Sequence, residues 1–253
     1  MRYMGREYTG KGVVVAIIDS GINRDDPRLA SAEIEGWSIT LGATGHALLS
    51  GDYRDENGHG TEMAVAVHRL APGAKLLGIK IMGERLRAAA ELMAAGIEIS
   101  QRNGARVINL SLGTPNMGKA LLLSDCVGNA VEHGSIVLAA AHPKGERVYP
   151  ADLPNTVGVA SHEDCPLDKF YYFAPSRFSK KEWGFLSGKF LTHGFGMRAD
   201  GEPGKYRGSG IATAYLSGMT AALCEANPAT TAQELVELLQ RQALVPTPEL
   251  GYA

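Results

Sequence analysis

The sequence predicts an α/β fold in which helices flank a mostly parallel central sheet. Short apolar runs rich in β-branched residues alternate with longer segments of helical periodicity, an order typical of doubly wound sheets. The apolar residues within each run are nearly continuous, as expected of strands that are buried on both faces. With 253 residues, of which 45% are hydrophobic, the chain is long enough for one large domain spanning 1–253.

Five apolar runs and five helical segments follow one another along the chain. The predicted strands are Val13–Ile18, Lys75–Ile81, Val107–Leu112, Ser135–Ala141 and Thr156–Ala160. The predicted helices are Thr61–Leu70, Arg87–Asn103, Ala120–His133, Ile211–Asn227 and Thr231–Arg241. Between Glu163 and Arg207 the sequence is rich in Phe, Tyr, Gly and Lys and has no clear period, so we expect irregular hairpins and loops there.

Several helix ends carry recognisable signals. Gly104 and Gly134 follow helical segments, where a residue with left-handed backbone angles commonly ends a helix. Asn227-Pro228 ends the fourth helix, because proline cannot continue the hydrogen-bond ladder. Thr231 and Glu234 then predict a capping box, in which each side chain bonds the other residue's backbone N–H.

Composition and charge exclude several classes of function. The 25 Lys and Arg residues nearly balance the 27 Asp and Glu residues, so no basic footprint for nucleic acid or an anionic membrane is present. The three cysteines, Cys126, Cys165 and Cys224, lack the spacing of a structural zinc site. The N-terminal residues lack an apolar leader segment, and no run of about 18 apolar residues occurs. We therefore expect a cytoplasmic protein with no cofactor, no nucleic-acid partner and no membrane partner.

Three segments carry residues suited to chemistry. Asp19 closes a buried strand, and ligands of open α/β sheets bind at the edge where such strands end. His59 lies between two glycines, which leave its imidazole accessible to a reacting group. A glycine-bounded turn at 208–210 enters an apolar helix and presents backbone N–H groups to an anion. Taken singly, each has an ordinary alternative: a capping carboxylate, a solvated histidine and a core helix.

Taken together, the three segments resemble the subtilase family of serine peptidases. The resemblance rests on VAIIDSGI at 15–22, DENGHGTEMA at 55–64 and GSGIATAYLSG at 208–218. It continues through APGAKL at 71–76, VINLSLG at 107–113 and YPADLPNTVGV at 149–159, and so covers most of the chain. It implies a subtilisin-like three-layer fold. It also implies that Asp19 orients the imidazole and that His59 is the general base.

Two further groups of the family's active site are replaced. Gly210 stands where the family has its nucleophilic serine, and Pro143 stands where it has an asparagine that donates to the oxyanion. Glycine offers no nucleophile, and losing one oxyanion donor costs about 100- to 1000-fold in rate. Ser209 is the alternative nucleophile, although one residue along a helix start turns the side chain by about 100°. His142 or Lys144 is the alternative oxyanion donor.

The resemblance also implies a groove for an extended peptide, which would pair with the backbone of this chain. One side of the predicted groove is formed by Leu110, Ser111, Leu112 and Gly113, facing an edge strand around Glu84–Leu86. A side-chain pocket would be walled by Leu138, Ala139, Ala140 and Ala141. The alternative is that the chain's own Phe170–Phe195 segment fills the groove through Phe178, Trp183, Phe185 and Phe190.

Two other departures concern metal binding and the neighbourhood of His59. Arg28 occupies the place of an acidic calcium ligand of the family, and a guanidinium is incompatible with a site for a hard cation. We therefore expect no metal there. Glu62 replaces the second histidine of the family's usual H-G-T-H sequence.

Two hypotheses of function follow. The first is a pseudo-protease that binds an extended peptide or a partner's segment, with an active peptidase or the product of a neighbouring gene in one operon as candidate partner. The alternative is an active intracellular serine endopeptidase that uses Asp19, His59 and Ser209, or one whose natural serine at position 210 has been replaced.

Overall fold

Thirteen strands and five α-helices follow one another in the computed structural model, which describes residues 2–142, 144–173, 189–198, 200 and 202–244. The strands are β1 (Arg2–Tyr3), β2 (Arg6–Glu7), β3 (Val14–Asp19), β4 (Ile34–Leu41), β5 (Ala47–Ser50), β6 (Lys75–Lys80), β7 (Val107–Leu110), β8 (Ile136–Ala140), β9 (Thr156–His162), β10 (Phe170–Phe173), β11 (Lys189–His193), β12 (Phe195–Met197) and β13 (Pro203–Arg207). The helices are α1 (His59–Leu70), α2 (Ala90–Arg102), α3 (Ala120–Glu132), α4 (Ser209–Ala226) and α5 (Ala232–Gln242).

Nine of these strands form the central sheet, in the order β10-β11-β9-β8-β7-β3-β6-β4-β5. The seven strands from β11 to β4 are parallel, and each edge strand is antiparallel to its neighbour. The predicted mostly parallel sheet is therefore confirmed. Strand β3 lies in the middle, between β6 and β7, so Asp19 at its end is surrounded by other strand ends.

The helices lie on both faces of the sheet, which explains the nearly continuous apolar runs. Successive residues of a strand point to opposite faces. Val15 and Ile17 pack in one core with residues of α1, α4 and α5. Ala16 and Ile18 pack in a second core with residues of α2 and α3. Both sets of side chains are buried, and the central helix α4 is buried along most of its length.

The predicted helices are confirmed to within three residues at each end. Gly104 and Gly134 have φ angles of 74° and 91°, the left-handed values expected after a helix. Thr231 and Glu234 form the predicted capping box at the start of α5. Within the described residues, no helix combines the length and the apolar character that crossing a membrane requires.

The structure differs from the sequence prediction in the segment after residue 163. The segment does contain the expected hairpin, β12–β13. Strand β11, however, is a buried member of the central sheet, parallel to β9. The sequence did not predict this strand, because several of its residues are polar. The fully buried Lys189 ammonium forms an ion pair with Asp152 Oδ1 (2.9 Å) and donates to Ala151 O (3.0 Å), so a charged residue occupies a core position.

Two smaller predictions also need correction. Strands β4 and β5, which add two members to the sheet, were not predicted, because β4 mixes partly buried with exposed residues and the short β5 is exposed along its whole length. The edge strand predicted around Glu84–Leu86 is wrong, since these residues are exposed and adopt bend or irregular conformations. A bond from Arg87 N–H to Arg85 O bends the backbone there.

Candidate active site

The site lies at the carboxyl ends of β3 and β7, where α1 and α4 begin. Asp19 is the last residue of β3 and is fully buried. His59 is the first residue of α1, after Gly58, whose φ of 86° makes the turn into the helix. Gly60 lets α1 approach the segment after β3, because a Cβ atom there would lie 2.2 Å from Gly21 O. These contacts place the imidazole directly over Asp19.

Asp19 and His59 form a close pair. His59 Nδ1 lies 2.7 Å from Asp19 Oδ1, and the same oxygen accepts the Ser20 N–H at 2.7 Å. Asp19 Oδ2 is buried and has no hydrogen-bond partner among the described residues. A carboxylate on Nδ1 favours the tautomer that leaves Nε2 free to accept a proton. This is the arrangement of an oriented general base.

A second carboxylate, Asp55, fixes the start of α1, and sequence reasoning did not single it out. Asp55 Oδ2 accepts from Thr61 N–H (2.8 Å) and Thr61 Oγ1 (2.6 Å). Asp55 Oδ1 accepts from Gly58 N–H (3.0 Å) and from Ser20 Oγ (2.9 Å). Ser20 Oγ in turn accepts the Gly60 N–H at 2.9 Å. The sequence signal was available, since a carboxylate shortly before a helix is a common cap.

The two carboxylates act on the protonation of His59. Burial alone would lower the pKa of His59, but the hydrogen bond and charge of Asp19, together with the charge of Asp55, raise it above its ordinary value. Burial likewise opposes ionisation of Asp55, yet the hydrogen bonds from Thr61, Gly58 and Asn57 hold the pKa of Asp55 below its usual range. The two carboxylates therefore stabilise the protonated form of His59 more than solvent would.

Tyr206, on β13, covers one side of the imidazole and was also missed. Its ring meets that of His59 edge-on, with centroids 5.3 Å apart. Its hydroxyl donates to Asn57 O at 2.7 Å, and Asn57 Oδ1 accepts the His59 N–H at 2.8 Å. No signal in the sequence distinguishes this tyrosine from the other eight.

Gly210 lies across from His59 at the start of α4. A Cβ atom built on Gly210 would lie 3.8 Å from His59 Nε2, 3.3 Å from Ser111 Cβ and 3.4 Å from Ser111 O. A side chain at this position would therefore point at the free nitrogen of the imidazole. Residue 210 thus holds the position from which a hydroxyl could reach the base, and it carries no hydroxyl.

Ser209, one residue earlier, makes no hydrogen bond to His59. Its side chain is buried, and Ser209 Oγ has no hydrogen-bond partner in the described part of the chain, His59 included. Its carbonyl oxygen accepts from Thr213 Oγ1 at 2.6 Å, as in a regular helix turn. The rotation expected from the helical period is consistent with this placement.

Ser111 fastens the start of α4 to the end of β7. Ser111 Oγ donates to Gly210 O at 3.0 Å and accepts from Asn109 Nδ2 at 3.0 Å. Asn109 Oδ1 accepts from Ser217 Oγ at 3.0 Å, about two turns further along α4 than Gly210. The position of Gly210 relative to the sheet is therefore fixed by side-chain hydrogen bonds at two levels of the helix.

The predicted groove residues divide by burial. Ser111 and Leu112 are half-buried and Gly113 is exposed, so this segment is accessible beside Gly210. Ala140 is half-buried at the end of β8. The remaining predicted residues are buried in the two cores, so their side chains are not available to a ligand. They are Leu110, Leu138, Ala139 and Ala141.

The predicted oxyanion position, Pro143, lies outside the described residues. Its neighbours His142 and Lys144 are described: His142 Nδ1 accepts the Lys144 N–H at 3.4 Å. His142 is half-buried and its Nε2 lies 3.9 Å from Glu146 Oε2, so it faces a carboxylate of its own loop.

The aromatic residues proposed to fill the groove are only partly placed. Phe178, Trp183 and Phe185 lie outside the described residues. Phe190 is buried in β11, and its ring packs against Phe170 with centroids 5.9 Å apart. Phe190 therefore belongs to the core of the sheet.

Arg28 and Glu62 form an ion pair next to α1. Arg28 Nη1 lies 2.9 Å from Glu62 Oε2, and Arg28 Nη2 lies 2.8 Å from Asp26 Oδ2. The guanidinium thus joins the two carboxylates at the place where the family resemblance implies a calcium ligand. Within the described ranges, no group of three or more His, Cys, Asp or Glu side chains is arranged to hold a metal ion.

Comparisons with known proteins show similarity over most of the chain. The profile described as "Subtilase family" matches residues 10–252. Subtilisin E from Bacillus subtilis (strain 168) is 28% identical over 251 residues, covering 93% of this chain. Subtilisin BL from Lederbergia lenta is 34% identical over 169 residues, covering 62% of this chain and 58% of that protein. The chain spans only 61% of the length of subtilisin E.

Solved structures show the same fold. Sphericase superposes with a TM-score of 0.74 at 23% identity, over 93% of this chain and 84% of that one. A cold-adapted subtilisin-like serine proteinase gives a TM-score of 0.71 at 22% identity, over 92% of this chain and 83% of that one.

Proposed function

Because the chain belongs to the subtilase family, we propose that it is a pseudo-protease of that family, which binds an extended peptide and forms no acyl-enzyme. The observation that carries the proposal is the position of Gly210. It faces His59 Nε2 at the place from which a nucleophile would act, and it has no side chain. An acyl-enzyme needs an oxygen or sulfur nucleophile beside the base.

The binding half of the proposal rests on the accessible segment after β7. Ser111, Leu112 and Gly113 follow β7 beside Gly210, and no strand among the described residues pairs with these three. An extended peptide can add to such a segment through main-chain hydrogen bonds, and this form of recognition requires no serine.

The rival proposal, an active serine endopeptidase, is favoured by the intact Asp19–His59 pair. Ser209 would have to act as nucleophile, yet its hydroxyl does not contact His59 in the described structure. A peptidase whose natural serine at position 210 has been replaced would also lack a nucleophile beside His59. Restoring that serine would restore its catalytic site.

Covalent labelling separates the two proposals. We expect wild-type protein to remain unmodified by a fluorophosphonate, a reagent that captures activated serines, as judged by intact mass. Labelling of the wild type that disappears in Ser209→Ala would contradict the pseudo-protease proposal and support the enzyme.

Peptide retention tests the binding half. Immobilised protein is incubated with a random decapeptide library, and the retained peptides are identified by mass spectrometry. We expect the retained peptides to be intact decapeptides. Leu112→Asp should abolish their retention, because it places a charge beside the groove, whereas Leu121→Asp on the exposed face of α3 should leave it unchanged. Retention of cleaved fragments, or equal retention by both variants, would contradict the proposal.

We also propose a location and a partner. A module of this kind would act on a protein segment in the cytoplasm. An active peptidase, or the product of a neighbouring gene in one operon, is the proposed partner.

A further inference from the structure

The two outer strands of the central sheet differ in what lies beside them. Strand β5 pairs with β4 on one side, and no strand in the described part of the chain pairs with its other side. All four residues of β5 are exposed. At the opposite end of the sheet, the chain itself covers part of β10, since the Leu244 N–H donates to Phe170 O at 2.8 Å. We call the uncovered side of β5 the free edge.

The pairing of β4 with β5 shows which backbone groups point toward the free edge. The Gly42 N–H donates to His46 O at 2.9 Å, so these two residues form a hydrogen-bonded pair. Bonded and non-bonded pairs alternate along an antiparallel ladder, so Leu48 also bonds to β4, whereas Ala47 and Leu49 do not. The N–H and C=O groups of Ala47 and Leu49 therefore point away from β4, toward the free edge.

The free edge lacks the usual protection against pairing with another strand. Proteins commonly place charged side chains or proline on such an edge. Residues 36–51, which include β5 and most of β4, contain no Asp, Glu, Lys, Arg or Pro. The side chains of Leu48 and Leu49 are 55% and 54% exposed, and those of Trp37 and Leu41 on β4 are 39% and 40% exposed. Apolar side chains thus flank the outward backbone groups, which favours the addition of a further strand.

We propose that β5 pairs with β5 of a second copy of this chain, antiparallel and about a two-fold axis. In this register Leu48 faces Leu48 of the second copy, and Ala47 faces Leu49 of the second copy. The outward N–H and C=O groups of both residues then find partners in each strand. The central sheet would continue from one copy into the other. This inference goes beyond the proposed function and concerns a different surface.

The absence of charge indicates why the partner is an identical copy. A two-fold axis places each side chain near the axis opposite its own counterpart, so a charged residue there would meet a like charge. The uncharged stretch 36–51 avoids this repulsion.

The side chains of the hairpin are also complementary to themselves. On one face, β4 and β5 pair Ile39 with Leu49 and Leu41 with Ala47. In the proposed register, Leu49 lies beside Ala47 of the second copy, so each of these apolar rows continues across the axis. Such cross-strand contacts stabilise a sheet.

The proposed pairing is small and separate from the candidate active site. Strands β6 and β4 lie between β3, which carries Asp19, and β5. Failure of this inference would therefore leave the proposed function untouched. Two hydrogen-bonded pairs and short apolar rows make a small interface, so we expect a dissociation constant of roughly 1 to 100 µM.

Sedimentation velocity of the full chain measures the assembly directly. Between about 1 and 300 µM, we expect the mass to rise from that of one chain toward that of two, as the expected dissociation constant requires. A protein that stays monomeric throughout this range would overturn the inference and leave the free edge to a strand of another protein.

Two variants of opposite charge locate the pairing. Leu48→Lys and Leu48→Glu each place two like charges opposite one another, and each should weaken the dimer at least about tenfold. An equimolar mixture of the two should regain the dimer, because opposite charges then face each other. Both variants should fold, since Leu48 is 55% exposed.

The matched control is Leu121→Lys, which changes a leucine that is 74% exposed on α3 and should leave the dissociation constant unchanged. A dimer that neither Leu48 variant weakens would lie elsewhere and would overturn the inference. A mixture that dimerises no better than each variant alone would also overturn it, because Leu48 would not face its own counterpart.

Discussion

The two halves of the site differ in whether the side chains beside the imidazole also support the fold. In the acid–base half, Asp19, Asp55 and Ser20 accept or donate hydrogen bonds that also tie the start of α1 to the end of β3. In the opposite half, the start of α4 has only small residues facing the base, and Ser209 Oγ bonds nothing in the described structure.

The difference teaches which parts of a catalytic site a fold can lose. The residues of the acid–base half also form the hydrogen bonds that hold the start of α1, so they stabilise the fold whether or not catalysis occurs. A nucleophile at position 210 would contribute almost nothing to packing, because its side chain would face the groove. A glycine at this position is therefore compatible with the fold, and the Asp19–His59 pair by itself does not demonstrate peptidase activity.

The largest expected effect comes from making the same substitution in both halves. Gly60→Ala places a Cβ atom 2.2 Å from Gly21 O, a clash between two backbone segments, and should lower the free energy of unfolding by about 3 kcal/mol or more. Gly210→Ala meets no atom closer than 3.3 Å and gains helix propensity, so its effect should stay within about 1 kcal/mol. Urea denaturation followed by circular dichroism measures both. Similar losses in the two variants would contradict the comparison.

The next effect concerns the charge of His59. Asp19→Asn removes the carboxylate at 2.7 Å and should lower the pKa of His59, as measured by NMR titration of the imidazole. The control Asp52→Asn changes an exposed carboxylate paired with Arg54 and should leave the pKa of His59 unchanged.

The same substitution has a signature in the pH dependence of stability. Because folding raises the pKa of His59, its contribution to stability is complete below its ordinary pKa of about 6.5 and is lost as the pH rises through the raised value. Asp19→Asn should remove this loss. An unchanged profile would show that the pair is not coupled as the geometry indicates.

The smallest effect compares two serines. Ser20→Ala leaves the Gly60 N–H without its acceptor and removes one of the donors to Asp55, and should cost about 1 to 3 kcal/mol of unfolding free energy. Ser209→Ala removes a hydroxyl that bonds nothing among the described residues, so we expect a change within about 0.5 kcal/mol. If Ser209→Ala were the more destabilising of the two, Ser209 would have a structural role that the comparison denies.

Much of the fold could be predicted from the sequence, because its strands are buried on both faces and its helices have clear end signals. Strand β11 escaped prediction for a physical reason: its Lys189 is accommodated in the core by Asp152 and the Ala151 carbonyl, partners that a local pattern does not show. Strands β4 and β5 escaped because side chains on the sheet edge are not uniformly apolar.

Site residues that belong to sequence motifs of the family could be predicted. Residues that join the site only through tertiary contacts could not. Asp19, His59 and Gly210 lie in motifs whose order carries the family resemblance, and the structure brings them together. Tyr206 reaches His59 only through the β12–β13 hairpin, so nothing in its local sequence marks it. The Asp55 cap lies between these cases, since its local signal was present and its charge on His59 was not foreseen.

The most direct measurement restores the missing group. Fluorophosphonate labelling rates are compared for wild type, Gly210→Ser, and Gly210→Ser combined with His59→Gln. Wild type should stay unlabelled because it has no nucleophile at position 210, whereas Gly210→Ser should label, at a rate reduced by about 100- to 1000-fold if the oxyanion donor is missing. The added His59→Gln should abolish that gain. Labelling of wild type at the rate of Gly210→Ser would contradict the claim that this site holds an oriented base without a nucleophile.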